Sequence, residues 1–271
     1  MSAHAGTAQA ARRTKGSLLK RLVYERDVTF NLVRTELASR QRGSFLGWLW
    51  SLGPPFLQLA ATYFLFTRVI PLGIDNFPVF LLVGVLAWSW FSGSVSEATS
   101  SLEARRDLVL RPGFTTAVIP LVAVLVALVD YVLALPVLFI ALGFTTGIHV
   151  EAFFLPVLLA LQLGLCAGLS LLFAPLQVFV RDVQRIVSVG LAVLFWFTPV
   201  FYERKQVPGA LEPLYRLNPM SELIEAQRAI LLDGSMPTAK SVGLVVLETA
   251  IALALGIFTF VRLRHSVPDE L

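Results

Sequence analysis

Charge is what this sequence is shortest of. Only 15% of its 271 residues are Asp, Glu, Lys or Arg, against roughly 25% in a soluble domain, while 56% are hydrophobic. Cysteine is nearly absent. The single Cys166 lies in an apolar run, which excludes an intrachain disulfide and leaves a small buried hydrophobe as its role. His4, His149 and His265 are scattered, with no metal-ligand spacing. No GxxxxGK(S/T) phosphate loop, HExxH or GxSxG occurs, and no pair of carboxylates stands at a useful spacing. The chain therefore shows no equipment for hydrolysing ATP or for covalent catalysis. The net charge of +4 does not signal nucleic acid, because the basic residues border apolar stretches instead of forming a patch interleaved with aromatics. Residues 1–16 lack an apolar h-region and are expected to be a disordered cytoplasmic tail, not a secretory signal.

What the chain has is apolar length. Between Arg42 and Arg68 lie 25 uncharged residues, about 37 Å of helix and enough to cross a bilayer with some tilt. Trp48 and Trp50 follow the basic pair Arg40 and Arg42, as interfacial indoles follow cytoplasmic cations. Six spans are predicted, at about 45–67, 77–96, 116–144, 153–180, 186–202 and 241–261. Pro54 and Pro55 should kink or offset the start of the first. With six spans both termini share one side. Placing them inside leaves sixteen basic residues in inner segments and six in outer ones, so both termini are expected in the cytoplasm.

Three segments between or before the spans are predicted to be helical without crossing. Residues 17–42 set Leu22, Val23, Phe30, Val33 and Leu37 against Arg26, Asp27, Arg34, Glu36 and Arg40, an amphipathic helix suited to a membrane surface or a partner protein. After Ser101, a candidate cap, Leu102 to Leu110 form a short helix stopped by Pro112-Gly113; five charges between Glu103 and Arg111 keep it out of the membrane. The 38 residues from Glu203 to Lys240 contain a third. Asn218 caps it, Pro219 occupies its first position, and Met220, Leu223, Ile224, Gln227, Ile230 and Leu231 line one side. Glu222, Glu225 and Arg228 make it too polar to span, so it re-enters or lies on the outer surface.

Embedded polar and aromatic residues leave alternatives open. Asp130 and Glu248 fall within spans; they serve as an ion site or as structural hydrogen-bonding groups, and the absence of an embedded Lys, Arg or His favours the second. Tyr63, Phe64, Phe195, Trp196, Phe197 and Tyr202 either line a conduit for a sugar chain or form lipid-facing belt and bundle core, and composition alone favours the second. Gly43-x-x-x-Gly47 and Gly164-x-x-x-Gly168 match a small-residue packing motif, for which close helix contact is the simple account.

Several separated motifs together resemble one family. RQRGSFLGWLWSLGPPF, LVDYVL, FVRDVQRIVSVGLAVLFWFTPVFY and LNPMSELIEAQRAILL occur in the order found in ABC-2 type permeases that export polysaccharides such as O-antigen, teichoic acid and galactan. The resemblance covers roughly residues 20–265. It implies an all-α integral membrane protein: an interface helix at 17–42, a transmembrane domain over 43–265 and a cytoplasmic tail at 266–271. It implies a homodimer around a conduit, seated on two ABC ATPase subunits in a bacterial cytoplasmic membrane. ATP and magnesium would be bound by those partners and no cofactor by this chain. The cargo would be a glycan linked to a polyprenyl pyrophosphate lipid, with membrane lipid around it and no nucleic acid. The coupling helix would be 102–111, with Leu102, Glu103, Arg105, Arg106, Asp107, Leu108 and Arg111 facing the ATPase. Arg26, Asp27, Arg34, Glu36, Arg40 and Arg42 would make the interface helix's contacts. Gate helices would occupy about 208–232, with Asn218, Pro219, Met220, Leu223 and Ile224 in the gate. Phe56, Tyr63, Phe64, Phe195, Trp196, Phe197 and Tyr202 would line the conduit. The sequence departs from the pattern in three places: Phe114 is followed by Thr115 instead of Pro, Glu36 stands where Asp is common, and Pro55 doubles the proline. Two other readings remain, an ABC-2 permease for a small drug or lipid, and a membrane enzyme such as a lipid-modifying transferase. The last would need a polar cluster at one membrane face that this sequence lacks.

Overall fold

The computed structural model describes residues 25–39, 49–69 and 73–271. All regular structure among them is helical. Helix α1 covers residues 25–39. α2 (Leu49–Phe64) continues into a π-turn, Leu65–Val69, and α3 is Phe77–Ala104, followed by the single turn α4 (Arg106–Val109). α5 (Val118–Phe144), α6 (Leu155–Phe179, entered through a 3-10 turn, Val150–Phe154) and α7 (Val183–Trp196) come next. Two 3-10 turns, Arg204–Gln206 and Gly209–Leu211, lead to α8 (Glu212–Arg216) and α9 (Pro219–Leu231); α10 (Ala239–Leu263) and α11 (Val267–Glu270) close the chain. Among the described residues, four helices are long and apolar enough to cross a membrane: Phe77–Ala104, Val118–Phe144, Val150–Phe179 and Ala239–Leu263. α7 is apolar but has 14 residues, and α2 has 16 before its π-turn. Arg40, Arg42, Trp48 and the Gly43/Gly47 pair lie outside the described residues.

α3 is the hub, and its composition requires it. FPVFLLVGVLAWSWF is apolar on every side, so no face is left for solvent or a polar rim. It buries almost every residue from Phe77 to Phe91 against α5, α6, α7 and α9. α5 and α10 do the opposite. Each turns one stripe inward and leaves Val132, Val137, Ile140, Leu247, Ile251, Leu255 and Phe258 exposed, the arrangement for helices bordered by hydrocarbon. α7 buries only Val187 and exposes Ile186, Val189, Val193 and Trp196.

α6 and α10 meet backbone to backbone. A Cβ on Gly168 would lie 2.5 Å from the carbonyl carbon of Ala252, and one on Gly256 would lie 2.0 Å from the carbonyl oxygen of Gly168. Gly164 sits one turn earlier on the same seam, beside Thr249. The Gly164/Gly168 spacing thus marks a real crossing of the kind small residues permit.

Two details differ from the sequence reading. α3 does not stop before Ser101 but runs on to Ala104, so Ser101 sits inside it and donates its hydroxyl to the Ala98 carbonyl at 2.7 Å instead of capping a new helix. The small residues Ser100 and Ser101 and the buried Leu102 carry the helix through, and the break falls at Arg105, with φ −121° and ψ 38°. In α1, Val28, Leu32, Val33 and Leu37 pack on Val118, Val122 and Val126 of α5, while Phe30 is 67% exposed. The packed stripe is centred between the 28/32 and 33/37 lines of the helix, which leaves Phe30 off its edge. Leu22 and Val23 lie outside the described residues.

Gly168→Ala is expected to destabilise the purified protein by roughly 1–3 kcal/mol, the range for overpacking, and to lower its melting temperature in detergent. Gly243→Ala, where an added Cβ meets nothing within 4 Å, should leave the melting temperature unchanged.

Candidate functional site

The structure concentrates its polar chemistry at the two ends of the bundle. At the end carrying α4, Leu102 and Val109 are buried with Ile119, Leu171, Ala174, Val178, Phe260 and Val267. The short helix is thereby fastened to α3, α5, α6, α10 and α11 at once. The charged residues of the 102–111 segment fall into two groups. Glu103 accepts from Gln177 at 3.2 Å, and Arg105 forms a half-buried ion pair with Glu36 of α1. Arg106, Asp107 and Arg111 project outward, and Leu108 packs against the apolar cluster. α1 is tied a second time by Thr115, whose hydroxyl donates to Glu25 at 3.0 Å. Arg26 pairs with its neighbour Asp27 at 2.8 Å, and Arg34 is exposed.

At the other end, α9 is inserted among α3, α6 and α10 and buries Met220, Leu223, Ile224, Ile230 and Leu231. Asn218 caps it, accepting from the Met220 N–H at 3.1 Å and donating to the Thr198 hydroxyl at 2.8 Å. Pro219 fills the first helical position. The cap anticipated from the Asn-Pro pair is present.

Arg228 is the residue that sequence reasoning undervalued. It is 5% exposed, and its guanidinium lies 3.4 Å from the centroid of the Phe80 ring. Nε and Nη2 donate to the Phe80 carbonyl at 3.2 and 3.1 Å, Nη1 to that of Pro199 at 2.5 Å, and Nη2 also to that of Val200 at 2.6 Å. Pro199 and Val200 lie in a bend outside any helix, so their carbonyls have no helical ladder to satisfy them. One cation thus ties α9, α3 and the turn after α7. Gly84 makes the approach possible: a Cβ there would lie 2.6 Å from Arg228 Nη2 and 2.7 Å from the Val200 oxygen. Burial pushes the guanidinium down to about 9, still above neutrality, so it stays charged. The signal was in the spacing, since Ile224, Gln227, Arg228 and Leu231 share a helical face.

Further polar contacts reinforce this insertion. Gln227 donates to Gln162 at 3.0 Å, Gln162 donates to the Ala87 carbonyl at 2.8 Å, and the Tyr131 hydroxyl reaches Gln227 at 3.4 Å. Arg204 bridges Glu222 at 2.6 Å and Glu225 at 3.0 Å, and Glu222 also accepts from the Ser241 hydroxyl. Burial raises the Glu225 carboxyl above its usual range, against the pull of Arg204.

The candidate conduit aromatics divide. Tyr63 and Phe64 on α2, and Trp196 and Phe197 at the end of α7, are exposed. Phe195 packs against Trp88 at 5.6 Å, Phe56 borders the α3/α5 core, and Tyr202 donates to the Trp196 carbonyl and meets the Tyr215 hydroxyl at 2.6 Å. Phe201 links the π-turn after α2 to α7, stacking on Phe66 at 4.8 Å and lying 5.8 Å from Phe195. Asp130 is half-buried, and Glu248 keeps one carboxylate oxygen buried without a partner among the described residues. No group of three or more His, Cys, Asp or Glu that could hold a metal occurs among those residues.

Arg204→Met leaves Glu222 buried beside only a hydroxyl, and is expected to cost up to about 3 kcal/mol, at the low end for a broken buried pair because Arg204 is partly solvated. Adding Glu222→Gln should recover part of that loss in the same thermal melt, because no stranded carboxylate then remains.

Comparison with known proteins brings the two ends together. A family model described as ABC-2 type transporter matches residues 28–232. The O-antigen export system permease protein RfbA of Myxococcus xanthus is 38% identical over 229 residues, covering 82% of this chain and 87% of that protein. The protein of the same name from Klebsiella pneumoniae is 27% identical over 253 residues, 92% of this chain and 97% of its own length. The polysialic acid transport protein KpsM of Escherichia coli is 22% identical over 221 residues, covering 78% and 84%.

Proposed function

The chain belongs to the ABC-2 type transporter family and is a multi-pass membrane protein, and we propose that it is the permease subunit of an exporter moving a lipid-linked polysaccharide across the cytoplasmic membrane. The observation that carries this reading is coverage. The likeness extends over 87% and 97% of two O-antigen export permeases and 84% of a polysialic acid transport protein, so the similarity includes both ends of the bundle and not one motif. ATP and magnesium belong to a separate ATPase, of which two copies would serve a homodimer of this chain. α2 and α7 supply the two further crossings that, with the four long helices, make six, and both termini then lie in the cytoplasm.

The geometry suits this division of labour. ATPase closure presses on the exposed Arg106, Asp107 and Arg111. Leu102 and Val109, buried against α5, α6 and α10, pass the displacement into those helices as a rigid body, since packed interfaces shift and do not stretch. α1 follows because Arg105 holds Glu36. The uncovered aromatics Tyr63, Phe64, Trp196 and Phe197 face the second copy across the conduit, where ring faces accept a sliding sugar chain. Residues 208–232 close the outer mouth, with Asn218, Pro219, Met220, Leu223 and Ile224 as its packed base. The glycan's lipid enters from the inner leaflet. No residue here breaks a bond.

The test is depletion of this protein with radiolabelled sugar tracing of lipid-linked glycan on each membrane face, complemented by wild type or by Arg106→Glu. Depletion is expected to strand labelled polymer on the cytoplasmic side. Wild type should clear it, and the variant should fail to do so while folding normally. An unchanged glycan distribution after depletion would contradict polysaccharide export.

A further inference from the structure

Beside the short helix α4 is a cavity to which the coupling mechanism assigns no ligand. It has a volume of about 560 Å3 and lies between residues 109–117 and the end of α10, within the roughly 300–1,000 Å3 range of small-molecule sites. Its floor is apolar, formed by Val109, Phe114 and Phe260. Its rim carries Arg111, Arg264 and His265, and no carboxylate among the described residues lines it. Arg111 and Arg264 form no ion pair among the described residues, and Arg264 Nε meets only the His265 ring, at 3.2 Å. Thr115, also on the rim, already donates to Glu25, so that carboxylate is engaged, and Asp269 and Glu270 of α11 are exposed outside the lining.

Arg105, Arg204 and Arg216, by contrast, each have a carboxylate. Two guanidinium groups gathered on one rim repel one another unless an anion lies between them. The apolar floor in turn suits hydrocarbon better than a free hydrated ion. Arg264 also follows the last apolar turn of a 25-residue span, the depth at which a lipid headgroup lies when that span crosses the bilayer.

We propose that this cavity binds the phosphate of an anionic membrane lipid, with Arg111, Arg264 and His265 around the phosphate and the first methylenes of the chain against Val109 and Phe260. The assignment rests on the proposed crossing of α10, but not on the identity of any exported glycan. A lipid held there bridges the α4 segment and α10, so it would be part of the surface on which the ATPase acts.

The test uses the purified full chain in detergent, without ATPase or glycan, and native mass spectrometry with phosphatidylglycerol or phosphatidylcholine of matched chains. Wild type should retain phosphatidylglycerol about tenfold better than phosphatidylcholine. Arg264→Gln with His265→Gln should lose that preference, whereas Arg262→Gln, which removes a charge outside the cavity, should keep it. Excess inorganic phosphate should displace the lipid only weakly. Equal retention of the two lipids by wild type, or an unchanged preference in the double variant, overturns the proposal. Full displacement by inorganic phosphate would assign the cavity to a free anion and overturn the lipid. Export is not measured, so failure of the export reading leaves these outcomes unaltered.

Discussion

Arg228 is the contact on which the arrangement of this molecule depends. A guanidinium 5% exposed is a costly group to bury unless all its donors are used. Here each of its three nitrogens donates to a carbonyl, of Phe80, Pro199 or Val200, and the cation's face rests on the Phe80 ring. Those carbonyls belong to α3 and to the turn after α7, so three segments far apart in sequence share one fastening. Much else follows from it. Gly84 must lack a side chain because the guanidinium and the Val200 carbonyl occupy the space. α9 must enter the bundle with its cap already made, which Asn218 and Pro219 provide. The Gln227–Gln162–Ala87 chain of hydrogen bonds can then form alongside, in an interior where each polar group needs a partner.

The opposite end is built on a different principle. Its ties to α1 are a half-buried ion pair and a hydroxyl–carboxylate bond, and its anchor is apolar. Outward charges on α4 stay in water while Leu102 and Val109 are buried; under the proposed function the first meet the ATPase and the second carry force inward. A transporter driven from outside its own chain needs this asymmetry: an exposed, polar input joined to a close-packed interior that moves as a block.

Much of this was legible in the sequence. The apolar runs marked the long helices because only uninterrupted apolar length gives them. The Asn-Pro pair marked the start of α9, and Gly164-x-x-x-Gly168 marked the α6–α10 crossing. Other features were hidden for physical reasons. Ser101 looked like a cap because serine favours that position, but Leu102 buries one residue later and draws the helix onward. Arg228 read only as one of the charges that keep α9 from spanning, because one-dimensional spacing does not show which carbonyls another segment leaves unpaired. The pairing of Arg105 with Glu36 joins positions 69 residues apart, which no local pattern encodes. Phe195 and Phe197 are two residues apart in the same aromatic run. One nevertheless packs on Trp88 and the other is exposed, so composition could not separate core from surface.

The most direct test of the Arg228 clamp is amide hydrogen exchange on the purified full chain, comparing wild type with Arg228→Met. If the guanidinium fastens α9 to α3, the variant will lose protection across α9 and residues 198–201 while α5 and α6 keep theirs. Unchanged protection in α9 would show that apolar packing alone holds it, and would contradict a fold fastened by the guanidinium.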